Sequence, residues 1–174
     1  EIMKAHLARV AAICEELGFS PMMWSDMFFR MVFRGAYRVR SGEVPEEIRA
    51  SVPANVSLIY WDYYSLDSGI FDHMVEEHQK FPNEVLFAGG AWKWSGFAPH
   101  NRYSLASTEL QLESCASHGL SRVIVTGWGD NGADASQFSV LPSLSQYAET
   151  QYGCESTLES RFYACFGRTL SDFL

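Results

Sequence analysis

The hydrophobic pattern changes period repeatedly along the chain. Residues Glu1 to Leu17 carry apolar side chains at helical spacing (Ile2, Leu7, Val10, Ile13, Leu17), and Gly18 stands where a helix would end. Pro21 to Asp26 is a short apolar run that closes on Trp24-Ser25-Asp26. A long irregular stretch through Gly42 and Pro53 is expected next. Val56 to Asp62 reads as a second strand, Phe71 to Phe81 as a helix, and Glu84 to Trp92 as a third strand. Leu105 to His118 is helical, with Gly119 behind it. Arg122 to Thr126 is a fourth strand, which opens into Gly127-Trp128-Gly129-Asp130-Asn131-Gly132. Two more helical segments finish the chain, the last with a capping box in Ser156 and Glu159 and a stop at Gly167.

Strand and helix thus alternate four times, which predicts a parallel sheet with crossover helices. The strands are continuous apolar runs, as expected when both faces are covered. A doubly wound sheet and part of a (β/α)8 barrel both fit this order. A whole barrel takes about 250 residues, and the chain has 174. It would hold half of one. Its first residue is Glu1 rather than methionine, and the chain is expected to be a piece of a longer protein.

Charge and composition narrow the function. The formal net charge is −8, and only Arg30, Arg34, Arg38 and Arg40 lie close together, on what reads as a solvated face. That balance argues against nucleic acid as the partner, because phosphate binding needs a basic surface. No apolar run approaches the length of a membrane span. Cys14, Cys115, Cys154 and Cys165 form no Cys-x-x-Cys pair. Three of the four sit in helical segments and read as small buried hydrophobes, which points to a reducing compartment.

The aromatic content is high: 5 Trp, 8 Tyr and 12 Phe. All five tryptophans fall at the C-terminal ends of the four strands, in Trp24-Ser25-Asp26, Tyr60-Trp61-Asp62-Tyr63-Tyr64, Trp92-Lys93-Trp94 and Trp128-Gly129-Asp130. Parallel α/β folds bind ligands at that edge. Indole faces stack on the apolar face of a sugar ring, and carboxylates accept hydrogen bonds from its hydroxyls. Strand alternation puts Trp24 with Asp26, Tyr60 with Asp62 and Trp128 with Asp130 on shared faces.

Other patterns are weaker. Gly127-x-Gly-x-x-Gly132 resembles a dinucleotide fingerprint, but Trp128 crowds the loop, and Asp130 and Asp134 would oppose a pyrophosphate. No cofactor is expected. His73 and His78 sit five residues apart on a helix, a poor spacing for a metal, and read as exposed. Glu46-Glu47 and Glu76-Glu77 read as solvated faces. No Gly-x-Ser-x-Gly elbow and no close carboxylate pair for acid–base hydrolysis are present.

Four motifs in order carry a resemblance: Met22 to Arg30, Tyr60 to Tyr64, Gly89 to Pro99, and Thr126 to Ala133. From about residue 1 to residue 150 the chain resembles the later half of bacterial β-N-acetylhexosaminidases of glycoside hydrolase family 20, in the compact cytoplasmic-type branch. The resemblance implies strands five to eight of a (β/α)8 barrel plus C-terminal helices, and a cytoplasmic location. It also implies substrate-assisted retaining hydrolysis of a terminal β-linked N-acetylhexosamine, GlcNAc or GalNAc. In that family the substrate's acetamido oxygen attacks the anomeric carbon, a Glu acts as general acid, and a neighbouring Asp orients the acetamido group. That Asp-Glu pair would precede Glu1.

By the same resemblance Tyr60 would hydrogen-bond the acetamido carbonyl. Asp62 and Asp130 would bind outer hydroxyls, with Asp130 one methylene shorter than the Glu common in relatives. Trp24, Trp92 or Trp94, and Trp128 would box the N-acetyl group and stack under the ring. Asp26, often Glu in relatives, would support the site. The isolated chain is expected to be inactive and to associate with itself through unpaired strand edges. A non-catalytic carbohydrate-binding α/β domain is the alternative.

Overall fold

A computed structural model describes residues 2–130, 134–153 and 157–174. The elements run α1 (Ile2–Glu16), β1 (Met22–Trp24), α2 (Asp26–Val32), α3 (Glu46–Arg49), β2 (Ser57–Trp61), α4 (Ser68–Gln79), β3 (Val85–Gly90), α5 (Asn101–Ser117), β4 (Val123–Thr126), α6 (Leu141–Tyr152) and α7 (Leu158–Phe166). Single 3-10 turns cover Gln137–Val140 and Leu170–Phe173. The fold is mixed α/β, and the strands form one sheet in the order β1-β2-β3-β4.

The sheet is parallel, as the alternation predicts. Met22 pairs with Ser57 and Trp24 with Ile59, while Leu58 pairs with Val85 and Trp61 with Ala88. Between β3 and β4, Phe87 N–H donates to Arg122 O at 3.1 Å and Ala91 N–H to Thr126 O at 2.8 Å. Donor and acceptor advance together by the same number of residues, the signature of parallel pairing. The helix stops at Gly18 and Gly119 are also as expected. Both glycines are left-handed, at φ 76° and 71°, and the following N–H reaches back into the helix (Phe19 to Cys14 O and Leu120 to Cys115 O, each 2.8 Å).

The chain divides into two compact units. The first comprises Glu1–Asp62, Asp67–Ala88 and Ser114–Val123, and the second Tyr63–Leu66, Gly89–Glu113 and Ile124–Leu174. The first has its core in Phe28, Phe29, Val44, Leu58, Tyr60, Phe71, Met74 and Phe87. The second is built around Trp94, Leu112, Val140, Tyr147 and Phe162.

Several expectations are corrected. The stretch after Asp26 is not irregular throughout: α2 starts at Asp26 itself and α3 follows at Glu46. The apolar run therefore ends as strand at Trp24, and Asp26 belongs to a helix rather than to a strand face. His78 is fully buried and Glu77 is 2% exposed. Glu77 is no solvated acid, because its carboxylate accepts Val44 N–H at 3.1 Å and Lys80 Nζ at 2.5 Å. Cys115 is buried, and burial pushes its thiol up to about 12, but Cys165 is exposed. The apolar stripe of α1 is mostly in solvent, since Ala11 is its one buried residue while Ile2 and Leu17 are exposed.

The box expected at Ser156 lies outside the described residues. Thr157 is the N-cap of α7 and accepts Ser160 N–H, and a reciprocal box instead joins Thr169 and Asp172. Gly167 ends α7 at φ 64°, as expected. No described helix is long and apolar enough to cross a membrane.

Gly89 illustrates how tightly the second unit is packed. A Cβ there would run into the hydroxyl of Tyr147, which itself donates to Gln111 Oε1 at 3.2 Å. Gly89→Ala is expected to cost about 2 kcal/mol or more by overpacking. Urea denaturation of the variant checks this, and an unchanged midpoint would show that the tyrosine gives way freely.

Candidate functional site

In the first unit the geometry starts from a short strand. Odd-numbered N–H groups of β2 face β1, as Ser57 N–H donates to Pro21 O, and even-numbered ones face β3, as Leu58 and Asp62 donate to Glu84 O and Ala88 O. A longer β1 would offer Ser25 O to Trp61 N–H. That carbonyl instead accepts Phe28 N–H at 3.1 Å in the first turn of α2. The phenol of Tyr37 takes its place and accepts Trp61 N–H at 3.1 Å. Burial drives the Tyr37 phenol far above its ordinary pKa, so it stays protonated.

Tyr60 is fully buried. Its ring stacks on His78 at 4.7 Å, and Phe87 and Tyr37 meet it edge-on at 5.3 and 6.1 Å. Its hydroxyl has no hydrogen-bond partner among the described residues. Burial raises its pKa well above the usual tyrosine value, and the charge of Asp62 adds to the effect. Asp62 is 0% exposed, with Oδ1 4.0 Å from Nη1 of Arg38, whose side chain is 35% exposed. Trp24 closes β1, half-buried opposite Ile59. Asp26 accepts Arg30 Nε at 2.8 Å, an i,i+4 pair on α2.

His78 lies beneath these residues, stacked on Phe29 at 4.2 Å. Its Nδ1 is 2.5 Å from Met74 O, which can only accept, so the neutral ring carries its proton there. Nε2 lies 2.7 Å from Ser25 Oγ, whose single proton Ile59 O also claims at 2.9 Å, and Tyr37 Oη approaches the same hydroxyl at 3.4 Å. Burial lowers the His78 pKa to about 3.

The second unit gathers aromatic residues at the ends of β3 and β4. Trp92 and Trp94 stack at 5.7 Å, Tyr64 meets Trp92 edge-on at 4.9 Å, and Tyr63 meets Trp94 at 5.3 Å and Trp128 at 6.4 Å. Trp94 Nε1 donates to Tyr64 Oη at 3.0 Å. His100 stacks on Trp92 at 4.6 Å, and His100 N–H donates to Trp92 O at 2.8 Å. Gly90 permits the close packing, since a Cβ there would lie 2.7 Å from Trp94 and 2.8 Å from Tyr63. Trp94 is 3% exposed, Trp92 half-buried and Trp128 37% exposed, so Trp128 and Trp92 offer more surface to a ligand. Lys93, between the two indoles, is fully buried, and its amine has no hydrogen-bond partner among the described residues.

The structure therefore brings Tyr60 and Asp62 together in one unit, and Trp92, Trp94 and Trp128 together in the other. Asp26 pairs with Arg30 instead of joining a strand face. Asp130 is exposed, and Asn131, Gly132 (the last glycine of the fingerprint-like loop) and Ala133 beside it lie outside the described residues. Sequence reasoning gave no role to Tyr37 or Ser25, read Arg38 as part of a solvated face and read His78 as exposed. The one available signal was the four-residue spacing of Phe29, Phe33 and Tyr37, whose rings do approach one another.

No group of three or more His, Cys, Asp or Glu residues suited to a metal occurs among the described residues. One cavity of about 470 Å3 lies at the opposite, N-terminal strand ends, lined by Met22, Ser57, Glu84 and Arg122, and holds none of these residues. In fold class the chain is an α/β protein with a parallel sheet and aromatic strand ends. No family model matches it, and no curated protein matches it.

The buried His78 gives a pH prediction. The unfolded chain binds a proton near pH 6.5, whereas the folded ring resists it down to about 3. This site's contribution to stability is complete above 6.5 and is lost progressively as pH falls toward 3. At pH 5 the ring shifts of His78 in NMR spectra should still be those of neutral imidazole. A midpoint near 6.5 would show that the ring is not buried as described.

Proposed function

We propose that this chain is the C-terminal half of the (β/α)8 barrel of a retaining exo-β-N-acetylhexosaminidase, and that it supplies substrate-binding residues. The observation that carries the reading is the aromatic platform of Tyr63, Trp92, Trp94 and Trp128 at the C-terminal ends of β3 and β4. Its exposed Trp128 face suits the apolar side of a pyranose ring. The resemblance gives Tyr60, in the other unit, the task of holding the acetamido carbonyl and so orienting the internal nucleophile, although its hydroxyl is fully buried in this structure.

On this reading the general acid Glu and its partner Asp come from a strand outside the 174 residues. The substrate is a terminal β-linked GlcNAc or GalNAc, and no cofactor or metal takes part. The solvated apolar stripe of α1 and the outer edges of β1 and β4 would be covered by the complementary half-barrel or by a second copy.

N-acetylglucosamine should quench or shift the tryptophan fluorescence of the chain, with a Kd on the order of 1 mM. Glucose, without the acetamido group, should bind more weakly. Trp128→Ala should weaken N-acetylglucosamine binding about tenfold through loss of stacking. No release of nitrophenol from a nitrophenyl N-acetylglucosaminide is expected from the chain alone. Equal responses to the two sugars, or none, would refute the reading. Turnover would refute an acid located elsewhere.

A further inference from the structure

Trp92 or Trp94 was expected to lie under the sugar, but Trp94 is 3% exposed and the Trp92 ring is already in use. His100 stacks on it at 4.6 Å and Trp94 at 5.7 Å, while Tyr64 and Tyr103 meet it edge-on at 4.9 and 5.3 Å. His100 itself is exposed. We propose that the imidazole of His100, in place of the Trp92 face it covers, is the group a sugar meets beyond the end of β3, its ring nitrogens exchanging hydrogen bonds with sugar hydroxyls. All of these residues belong to the second unit. The inference rests on the sugar-binding reading above and adds a residue to it.

His100 is fixed in place by its backbone and its ring face. Its N–H donates to Trp92 O at 2.8 Å, and its carbonyl accepts Ser104 N–H at 2.8 Å in the first turn of α5. Ser104 Oγ in turn accepts Trp92 N–H at 3.0 Å, so both backbone polar groups of Trp92 are tied to the turn that carries His100. The next residue, Asn101, is anchored through Nδ2 to Ser139 O at 2.8 Å and Phe173 O at 2.9 Å. None of these contacts uses a ring nitrogen, and the imidazole makes no side-chain hydrogen bond among the described residues. A ring held this way loses little freedom when it meets a ligand.

The chemistry of the ring selects the ligand class. A neutral imidazole offers one donor and one acceptor, and a sugar hydroxyl can take either part. A carboxylate or phosphate oxygen can only accept, and no cation pairs with His100 among the described residues to help hold an anion on a chain of net charge −8.

The test follows the imidazole nitrogens of the 174-residue chain by NMR as N-acetylglucosamine is added, with the His100 signals identified by their loss in His100→Gln. The His100 ring signals should move on titration, while those of His78, buried in the first unit, should not. His100→Phe keeps an aromatic ring on Trp92 and removes both nitrogens. It should melt as wild type does and bind N-acetylglucosamine about threefold to tenfold more weakly, as read from the Trp128 indole signal. If that variant melts early, the ring signals of the wild-type chain decide. His100 signals that stay in place while the Trp128 signal moves, or wild-type affinity in a stable His100→Phe, would overturn the role given to His100 and leave the sugar-binding reading intact. No binding to the wild-type chain would overturn that reading and this role with it.

Discussion

The carbonyl of Ser25 serves a helix rather than a strand, and much of the first unit follows from that choice. Because α2 begins at Asp26, β1 ends after three residues and β2 runs on past it, still paired with β3. The N–H of Trp61, at a half-buried position, faces the side where β1 has ended. Backbone donors in such places must find an acceptor. Tyr37 provides one from the segment that follows α2. Tyr60 and Asp62, the residues on either side of Trp61, are held on the β3 face, where Asp62 N–H bonds Ala88 O. The aromatic and acidic residues of this strand end therefore owe their places to a hydroxyl more than twenty residues upstream.

The same substitution accounts for the polar groups buried beneath. Tyr37 approaches Ser25 Oγ, and Ser25 Oγ bonds Nε2 of His78, so strand end, helix start and α4 share one chain of contacts. Such a network is costly when incomplete and rigid when satisfied. It also carries the imidazole on which Tyr60 stacks. A rigid strand end suits a residue whose proposed task is to hold an acetamido oxygen in one place.

Much of this was legible in the sequence. The order of elements, the parallel sheet and the gathering of tryptophans at strand ends follow from period, run length and position. What was not legible depends on partners distant in sequence. His78 and Glu77 look like surface residues of a polar helix, and only Phe29, Tyr60 and the Val44 amide make them buried ones. Arg38 looks like one more charge on a solvated face, and only Asp62, 24 positions on, distinguishes it. The apolar spacing of α1 promised a buried stripe, but periodicity does not say what would cover it. Local pattern finds elements, while tertiary pairing decides which polar residues are enclosed.

Hydrogen exchange in Tyr37→Phe tests the central claim most directly, because the substitution removes one oxygen and little else. If the Tyr37 hydroxyl replaces the missing strand, the Trp61 amide should exchange about tenfold faster or more. The Asp62 amide, bonded to Ala88 O, should keep its protection. Unchanged protection at Trp61 would contradict the account, since the strand end would then be held by something other than Tyr37.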